Sequence, residues 1–223
     1  MKRIIAASIV ISLLIVSGVV LYMNNMNTAN TVGAPNPMPA NPKGNEIVSI
    51  VESGSYAMYS LADLTNEAEL IVKGTVKSVS EPRWNNQKNS KPDPIRGDDT
   101  IYKETVFEVD KEYKDAAGSN MVKVRSFGGR TADFEIIDSM EFRPSVGDKA
   151  VVFLVPDNTI YNRENATGHY ILLGSLQGVY NINSKDDVSN VHESMTVAEL
   201  EQKIEDYLRN PKPTQQTGGP SAE

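Results

Sequence analysis

The chain of 223 residues contains no cysteine and only two histidines. Without cysteine it can form no disulfide, no thiolate nucleophile and no cysteine-ligated zinc or iron–sulfur site. His169 and His192 have no spacing that suggests a metal pair or the base of a nucleophile, so each is expected to be a surface or packing residue. The folded part of this chain must therefore be held together by its apolar core.

The acidic residues show no catalytic pattern either. Asp98 and Asp99 follow Gly97 and could bind Ca²⁺, but no full acidic loop surrounds them, so a polar turn is expected. Paired carboxylates for glycoside hydrolysis can be assembled from almost any acidic chain and give no positive indication. The sequence thus predicts no catalytic residue, no metal and no cofactor.

A long uncharged segment, "IIAASIVISLLIVSGVVLYM", occupies residues 4–23 directly after Lys2 and Arg3. A helix of about 20 apolar residues spans a bilayer core of about 30 Å. We predict a retained transmembrane anchor over residues 1–23, with a cleaved signal peptide as the alternative. Since the next basic residue is Lys43, the positive-inside rule places the N-terminus in the cytoplasm. The predicted location is the cell membrane, single-pass with the domain extracytoplasmic, and the alternative is secretion.

Charge and composition describe the rest of the chain. The formal net charge is −7, and removing Lys2 and Arg3 leaves −9, which disfavours binding to nucleic acid or to an anionic membrane surface. Residues 24–46 are rich in Asn and Pro and are predicted to form an extended tether. Residues 211–223 have the same character and are predicted to be a disordered tail. One domain remains, residues 47–210.

Alternation of apolar and polar residues predicts that this domain is mainly β. The first strand, Leu70–Val79, has Lys73, Thr75 and Lys77 on one face and an apolar opposite face. That apolar face consists of Leu70, Val72, Gly74 and Val76. The later predicted strands are residues 100–114, 121–127, 131–137, the apolar run of "SVGDKAVVFLVP", 170–173 and 179–183. The segment "GSLQG" between the last two strands is predicted to be a hairpin connection.

Two helices frame these strands. Ser60 can cap a helical turn ahead of the first strand. Thr196 and Glu199 fit a capping box that begins a C-terminal helix. The apolar stripe of this helix consists of Val197, Leu200, Ile204 and Leu208. We expect the stripe to pack on the protein's own sheet, with a coiled-coil partner as the alternative.

The order of five stretches resembles the netrin-type module, known as the inhibitory domain of tissue inhibitors of metalloproteinases, and more broadly the OB-fold barrel. The stretches are "EAELIVKGTVKSV", "YKETVFEVDKEYKDA", "MVKVRSFGG", "SVGDKAVVFLV" and "YILLGSLQGVYNI", which lie within residues 67–183. Similar arrangements occur in exported bacterial and archaeal proteins of unknown role. The resemblance implies an OB-like closed or partly open β-barrel. The inhibitors chelate zinc through an amino-terminal cysteine that this chain lacks, so their inhibitory residues are not carried over.

OB-type barrels bind ligands on the exposed face of their middle strands and between the loops that follow strands one and four. The first such loop, residues 80–99, holds the only Trp. Trp84, beside Arg83, could be a stacking platform for a sugar, peptide or base, or could fold over the open end of the barrel. Arg125 and Arg130 flank a glycine pair and could bind a carboxylate or sulfate, or be solvated surface charges. The predicted ligand-binding residues are Arg83, Trp84, Arg125 and Arg130.

Taken together, these features predict a membrane-tethered extracytoplasmic domain that binds a protein or a cell-envelope polymer and performs no catalysis. One alternative is a secreted or surface hydrolase that uses carboxylates the sequence does not single out. The other is a structural accessory domain of an envelope complex.

Overall fold

The computed structural model describes residues 47–52, 57–115, 118–162 and 167–211. The predicted membrane segment (1–23), the predicted tether (24–46) and all of the predicted tail except Pro211 lie outside the described residues. In the part of the chain that is described, no helix is long and apolar enough to cross a bilayer. The membrane segment and the domain boundaries therefore stay predictions.

The described residues form short helices and many strands. In chain order these are β1 (Val48–Glu52), α1 (Leu61–Glu67), β2 (Leu70–Val79), β3 (Arg83–Trp84), β4 (Ile101–Lys114), β5 (Met121–Phe127), β6 (Gly129–Arg130), β7 (Phe134–Asp138), β8 (Lys149–Pro156), β9 (His169–Leu172), a 3₁₀ turn (Ser175–Gly178), β10 (Val179–Ile182), β11 (Asp187–Ser189), β12 (Ser194–Thr196) and α2 (Val197–Arg209). The strand predicted at 70–79 is confirmed.

Five strands close into a barrel. β2 pairs with β4, β4 with β5, β5 with β9, β9 with β8, and β8 with β2, so every barrel strand has two neighbours. All of these pairs are antiparallel except β5–β9, which is parallel. The prediction of a mainly β fold with an OB-like barrel, a short helix before its first strand and a C-terminal helix is confirmed.

The interior of the barrel is apolar, as the alternation in β2 predicts. Leu70, Val72 and Val76 contribute to it, together with residues of β4, β5, β8 and β10. Gly74 lies where β2 closely approaches β4, because a Cβ at this position would be only 2.6 Å from the Glu108 carbonyl oxygen. A larger residue at position 74 would force these two strands apart.

Both helices pack on the outside of the wall formed by β2 and β8. Ile71 of β2 points outward into this second apolar cluster, which also contains Leu64 of α1 and Leu200 and Ile204 of α2. The capping boxes at Ser60 and at Thr196 are both present. The prediction that the stripe of the C-terminal helix packs on the protein's own sheet is confirmed.

An ionic contact joins α2 to the barrel wall. The Glu201 carboxylate accepts hydrogen bonds from Lys73 Nζ at 2.7 Å, Lys111 Nζ at 2.8 Å and Tyr113 Oη at 2.6 Å. Burial alone would raise the pKa of Glu201, but the hydrogen bonds from Lys111, Lys73 and Tyr113 outweigh it and lower the pKa to about 2. The folded chain therefore keeps this carboxylate ionised.

Three strands outside the barrel form a second, smaller sheet in the order β1, β7, β6. β1 runs parallel to β7. No sequence pattern predicts β1. β5 ends at a glycine pair, Gly128 and Gly129, whose φ values of 101° and 123° favour glycine.

The prediction that "GSLQG" forms a hairpin is wrong. β9 and β10 do not pair with each other; both pair with β8. β10 pairs with residues 149–152 of β8 and β9 pairs with residues 154–156 of the same strand. The 3₁₀ turn connects β9 to β10 along one edge of β8. The two strands therefore follow each other along that edge instead of pairing as a hairpin.

We predict that Glu201→Gln lowers the free energy of unfolding at pH 7 by about 1–2 kcal/mol, because it removes a charge that two lysines contact in a partly buried setting. Urea denaturation measures this loss. Glu205→Gln is the matched control, since Glu205 is half-exposed and lies 3.8 Å from Lys111. It should cost less than about 0.5 kcal/mol.

The pH dependence of this loss has a defined sign. The pKa of Glu201 is lower in the folded chain than its ordinary 4.5, so the unfolded chain binds the proton first as the pH falls. The stabilisation is complete above pH 4.5 and disappears between that value and about pH 2. The difference between wild type and Glu201→Gln should shrink across this window, and a constant difference would contradict the role of the charge.

Candidate functional site

The outer surface of β4, β5 and β9 carries charged and polar side chains where the wall of β2 and β8 carries an apolar layer. Strand pairing brings these side chains together, because Glu104 lies opposite Arg125 and Lys123 lies opposite His169. We call this surface the polar face. It consists of Arg83, Tyr102, Glu104, Lys123, Arg125 and His169.

Two arginines stack on one tyrosine at the end of the polar face. Arg83 lies opposite Tyr102 in the pairing of β3 with β4, and its guanidinium carbon is 4.9 Å from the centre of the Tyr102 ring. The guanidinium carbon of Arg125 is 4.6 Å from the same ring. Cation–π contacts of this kind hold both cations near the surface of β4. Tyr102 itself is buried.

A buried ion pair joins the polar face to the loop after the fourth barrel strand. Arg125 Nη1 donates to Asp157 Oδ2 at 3.0 Å and to Asn162 Oδ1 at 2.8 Å. The side chain of Arg125 is 2% exposed and that of Asp157 is 0% exposed. Because an unpaired charge would be very costly at this depth, each of the two residues requires the other.

The loops after barrel strands one and four meet beside this ion pair. Asn85 Nδ2 donates to the Asp98 carbonyl oxygen at 2.7 Å and to the Tyr161 carbonyl oxygen at 2.9 Å. The Oδ1 atom of Asn85 accepts from the Thr100 backbone N–H at 2.9 Å. One buried amide therefore joins the loop of residues 80–100 to the loop that contains Tyr161.

An acid–histidine pair occupies the middle of the polar face. His169 Nε2 lies 2.5 Å from Glu104 Oε2, and since an ionised carboxylate can only accept, the imidazole is the donor. Lys123 Nζ lies 3.9 Å from the other Glu104 oxygen. Within the described residues, His169 Nδ1 is buried and has no hydrogen-bond partner. The sequence did not reveal this pair, because the two residues are far apart in the chain.

The accessible charges on the polar face suit the binding of a polar ligand. The side chain of Lys123 is 51% exposed and Arg83 is half-buried, so both cations can reach a ligand. A carboxylate or sulfate would suit them. Among residues 47–52, 57–115, 118–162 and 167–211, no group of three or more His, Cys, Asp or Glu side chains could hold a metal ion.

The structure brings only some of the predicted ligand-binding residues together. Arg83 and Arg125 share the Tyr102 ring. Arg125 is not the solvated surface charge that the sequence offered as one alternative, because it is buried against Asp157. Arg130 lies in β6, opposite Glu135 of β7. Binding of a ligand by these residues stays a prediction.

Trp84 lies behind the polar face in a small apolar cluster with Ile101, Phe134 and Ile136. Its ring centre is 5.3 Å from that of Phe134, and the residue is 2% exposed. Lys91, from the same loop as Trp84, places its ammonium 5.2 Å from the centre of the Phe134 ring. Trp84 is thus a packing residue of this cluster, which is separate from the apolar interior of the barrel, and contact between Trp84 and a ligand stays a prediction.

Comparison with known proteins gives no family for this chain: no protein-family model and no curated protein matches it. The assignment of an OB-like barrel therefore rests on the closed barrel itself.

We predict that Trp84→Ala lowers the free energy of unfolding by about 3–5 kcal/mol, because it opens a cavity between the loop and β7. Thermal or urea melts of the full chain measure the loss. Ile95→Ala is the control, since Ile95 belongs to the same loop but is 37% exposed, and it should change stability by less than about 0.5 kcal/mol. A melt of Trp84→Ala that matched wild type would support the stacking platform instead.

Proposed function

We propose that this protein is a binding domain, tethered to the membrane on its extracytoplasmic side, that captures a protein or a cell-envelope polymer without catalysis. The polar face is the proposed binding surface. Arg83 and Lys123 supply the accessible positive charge, and Glu104 with His169 supplies a hydrogen-bonding centre between them.

One observation carries this proposal: the Asn85 amide joins the loops after barrel strands one and four, and Arg125 of the polar face pairs with Asp157 of the second loop. OB-type barrels use the face of their middle strands, together with the loops after strands one and four, to bind oligomeric ligands. A binding face held in shape before the ligand arrives loses less conformational freedom on binding.

The sequence adds support for location and partner. The apolar segment at residues 4–23 and the Asn/Pro-rich residues 24–46 suit a domain held a short distance from a membrane. A protein segment that bears carboxylate side chains would suit Arg83 and Lys123. An exported envelope polymer bearing carboxylate or sulfate groups would equally suit Arg83 and Lys123.

We predict that Lys123→Glu and Arg83→Glu each weaken capture of envelope material by about tenfold, equal to about 1.4 kcal/mol. The purified chain is mixed with two fractions from the cells that encode it, protease-treated insoluble envelope and solubilised envelope protein, and the bound chain is quantified. Lys185→Glu is the matched control, because Lys185 is exposed on the turn between β10 and β11.

The two fractions separate the possible results. Binding to the protease-treated fraction identifies a polymer, and binding to the solubilised fraction identifies a protein. Equal capture by wild type and both polar-face variants would contradict the proposed surface. Release of soluble fragments from the polymer would favour the hydrolase alternative over a binding domain.

The membrane tether has its own test in cells. We predict that the mature protein retains residues 1–23 and sediments with membranes after a high-salt wash, because screening charge does not release an inserted helix. Amino-terminal sequencing of the mature protein is the second measurement. A mature terminus that begins downstream of the apolar segment would identify a signal peptide and a secreted domain.

A further inference from the structure

The outer edge of β1 is the most exposed apolar strand edge in the described part of the chain. β1 is the end strand of its sheet, and no described residue pairs with its second edge. All five of its residues are exposed. Three of the five are large and apolar, namely Val48 at 44%, Ile50 at 39% and Val51 at 68% exposed.

The apolar face of β1 continues an existing core. Val48 lies beside Phe134 and Ile50 beside Ile136 in the parallel pairing with β7. Paired residues of neighbouring strands share a face, so Val48 and Ile50 extend the cluster that Phe134 and Ile136 form with Trp84. This apolar stripe ends at an open edge, where one more strand would cover it.

β1 has few of the features by which proteins protect such an edge, since Glu52 at its end is its one charge. Its sequence, "VSIVE", contains no lysine and no proline. Its register with β7 is continuous over all five residues, without a bulge. Exposed, regular and apolar edges are the ones to which another strand readily adds.

Charge at the end of β1 indicates which strand would fit. Glu52 lies directly beside Asp138 in the pairing of β1 with β7, so two like charges share one face. Among the described residues, the ion pairs formed near this sheet use other carboxylates: Lys91 pairs with Asp133 and Arg143 with Glu141. A basic side chain on an added strand would reach both carboxylates. Two copies of β1 paired with each other would supply no such residue, since "VSIVE" has none.

We propose that the free edge of β1 binds an extended segment of another protein, which adds as a fourth strand to the β1–β7–β6 sheet. Main-chain hydrogen bonds to β1 give the affinity, and side chains give the specificity. On the face shared with Val48 and Ile50 the segment carries two apolar residues, followed by a lysine or arginine beside Glu52. This surface is separate from the polar face, and neither proposal depends on the other.

The test uses the purified full chain and a labelled nine-residue peptide with the sequence TKTVTVTKT. A lysine stands near each end of the peptide, so that one lysine lies beside Glu52 whichever way the peptide runs. The matched peptide has glutamate in place of both lysines. Fluorescence anisotropy measures the affinity of each peptide, and we expect the lysine peptide to bind at least about tenfold more tightly.

Charge reversal on the protein is the decisive variant. Glu52→Lys should weaken the lysine peptide at least about tenfold and make the glutamate peptide the better ligand. Glu112→Lys makes the same change in net charge at an exposed position of β4 and should leave both affinities unchanged. Ile50→Lys should abolish binding of both peptides. Glu52→Lys replaces the like-charge contact with Asp138 by an opposite-charge contact, so it should not lower the melting temperature, and the result stands even if Ile50→Lys fails to fold.

The remaining outcomes contradict the proposal. Failure of the lysine peptide to bind, or equal binding by wild type and Glu52→Lys, would overturn it. A concentration-dependent dimer in sedimentation velocity that Ile50→Lys abolishes would identify a second copy as the occupant instead. Lys123→Glu should bind the peptide as wild type does, so loss of the polar-face function and loss of the edge function remain distinguishable.

Discussion

The ion pair between Arg125 and Asp157 is the interaction on which the architecture of the polar face depends. It joins the third barrel strand to the loop after the fourth strand, beside the parallel β5–β9 pair that closes the barrel. Burying two charges costs several kcal/mol of desolvation, so such a pair adds little net stability compared with apolar packing. Its effect is on geometry, because any arrangement of the loop that separates the pair leaves an unpaired buried charge. The stacking of Arg125 on Tyr102 extends this constraint to β4, and from there to Arg83.

The same barrel wall serves different purposes on its two sides. Along β2, Leu70 and Val72 fill the barrel, while Ile71 lies between them in sequence and contacts the helices. Because β2 is covered on both faces, it belongs to the stabilising core. The contact between Lys73 of β2 and Glu201 of α2 adds an ionic link beside the apolar layer. On β4 and β5 the outward positions carry charge instead. The wall of β2 and β8 is thus covered by an apolar layer under the helices. The wall of β4, β5 and β9 carries charged side chains.

The sequence predicted the parts of the fold that depend on local patterns. Alternation located β2 and β5, and the Thr196–Glu199 pattern located the start of α2. It failed where distant segments decide the outcome. "VSIVE" is too short to identify as a strand without its partner β7. "GSLQG" has the composition of a hairpin turn, but the strands on either side of it both pair with β8 and not with each other. Of the residues on the polar face, Arg83 and Arg125 were among the predicted ligand-binding residues. Glu104 and His169 were not, since only the pairing of β4, β5 and β9 brings them together.

Edges explain why this fold has two surfaces of different chemistry. Closing five strands into a barrel pairs every barrel strand on both sides, so the outer wall presents side chains and no free strand edge. The binding proposed for that wall therefore relies on charge and hydrogen bonds. The small sheet of β1, β7 and β6 is not closed. It is anchored to the barrel through Phe134 and Ile136, which pack on Trp84 and Ile101, and this leaves the backbone of β1 at the border of the domain. The residue that connects the two surfaces is therefore Trp84, whose neighbour Arg83 belongs to the polar face while its own ring supports the sheet that carries β1.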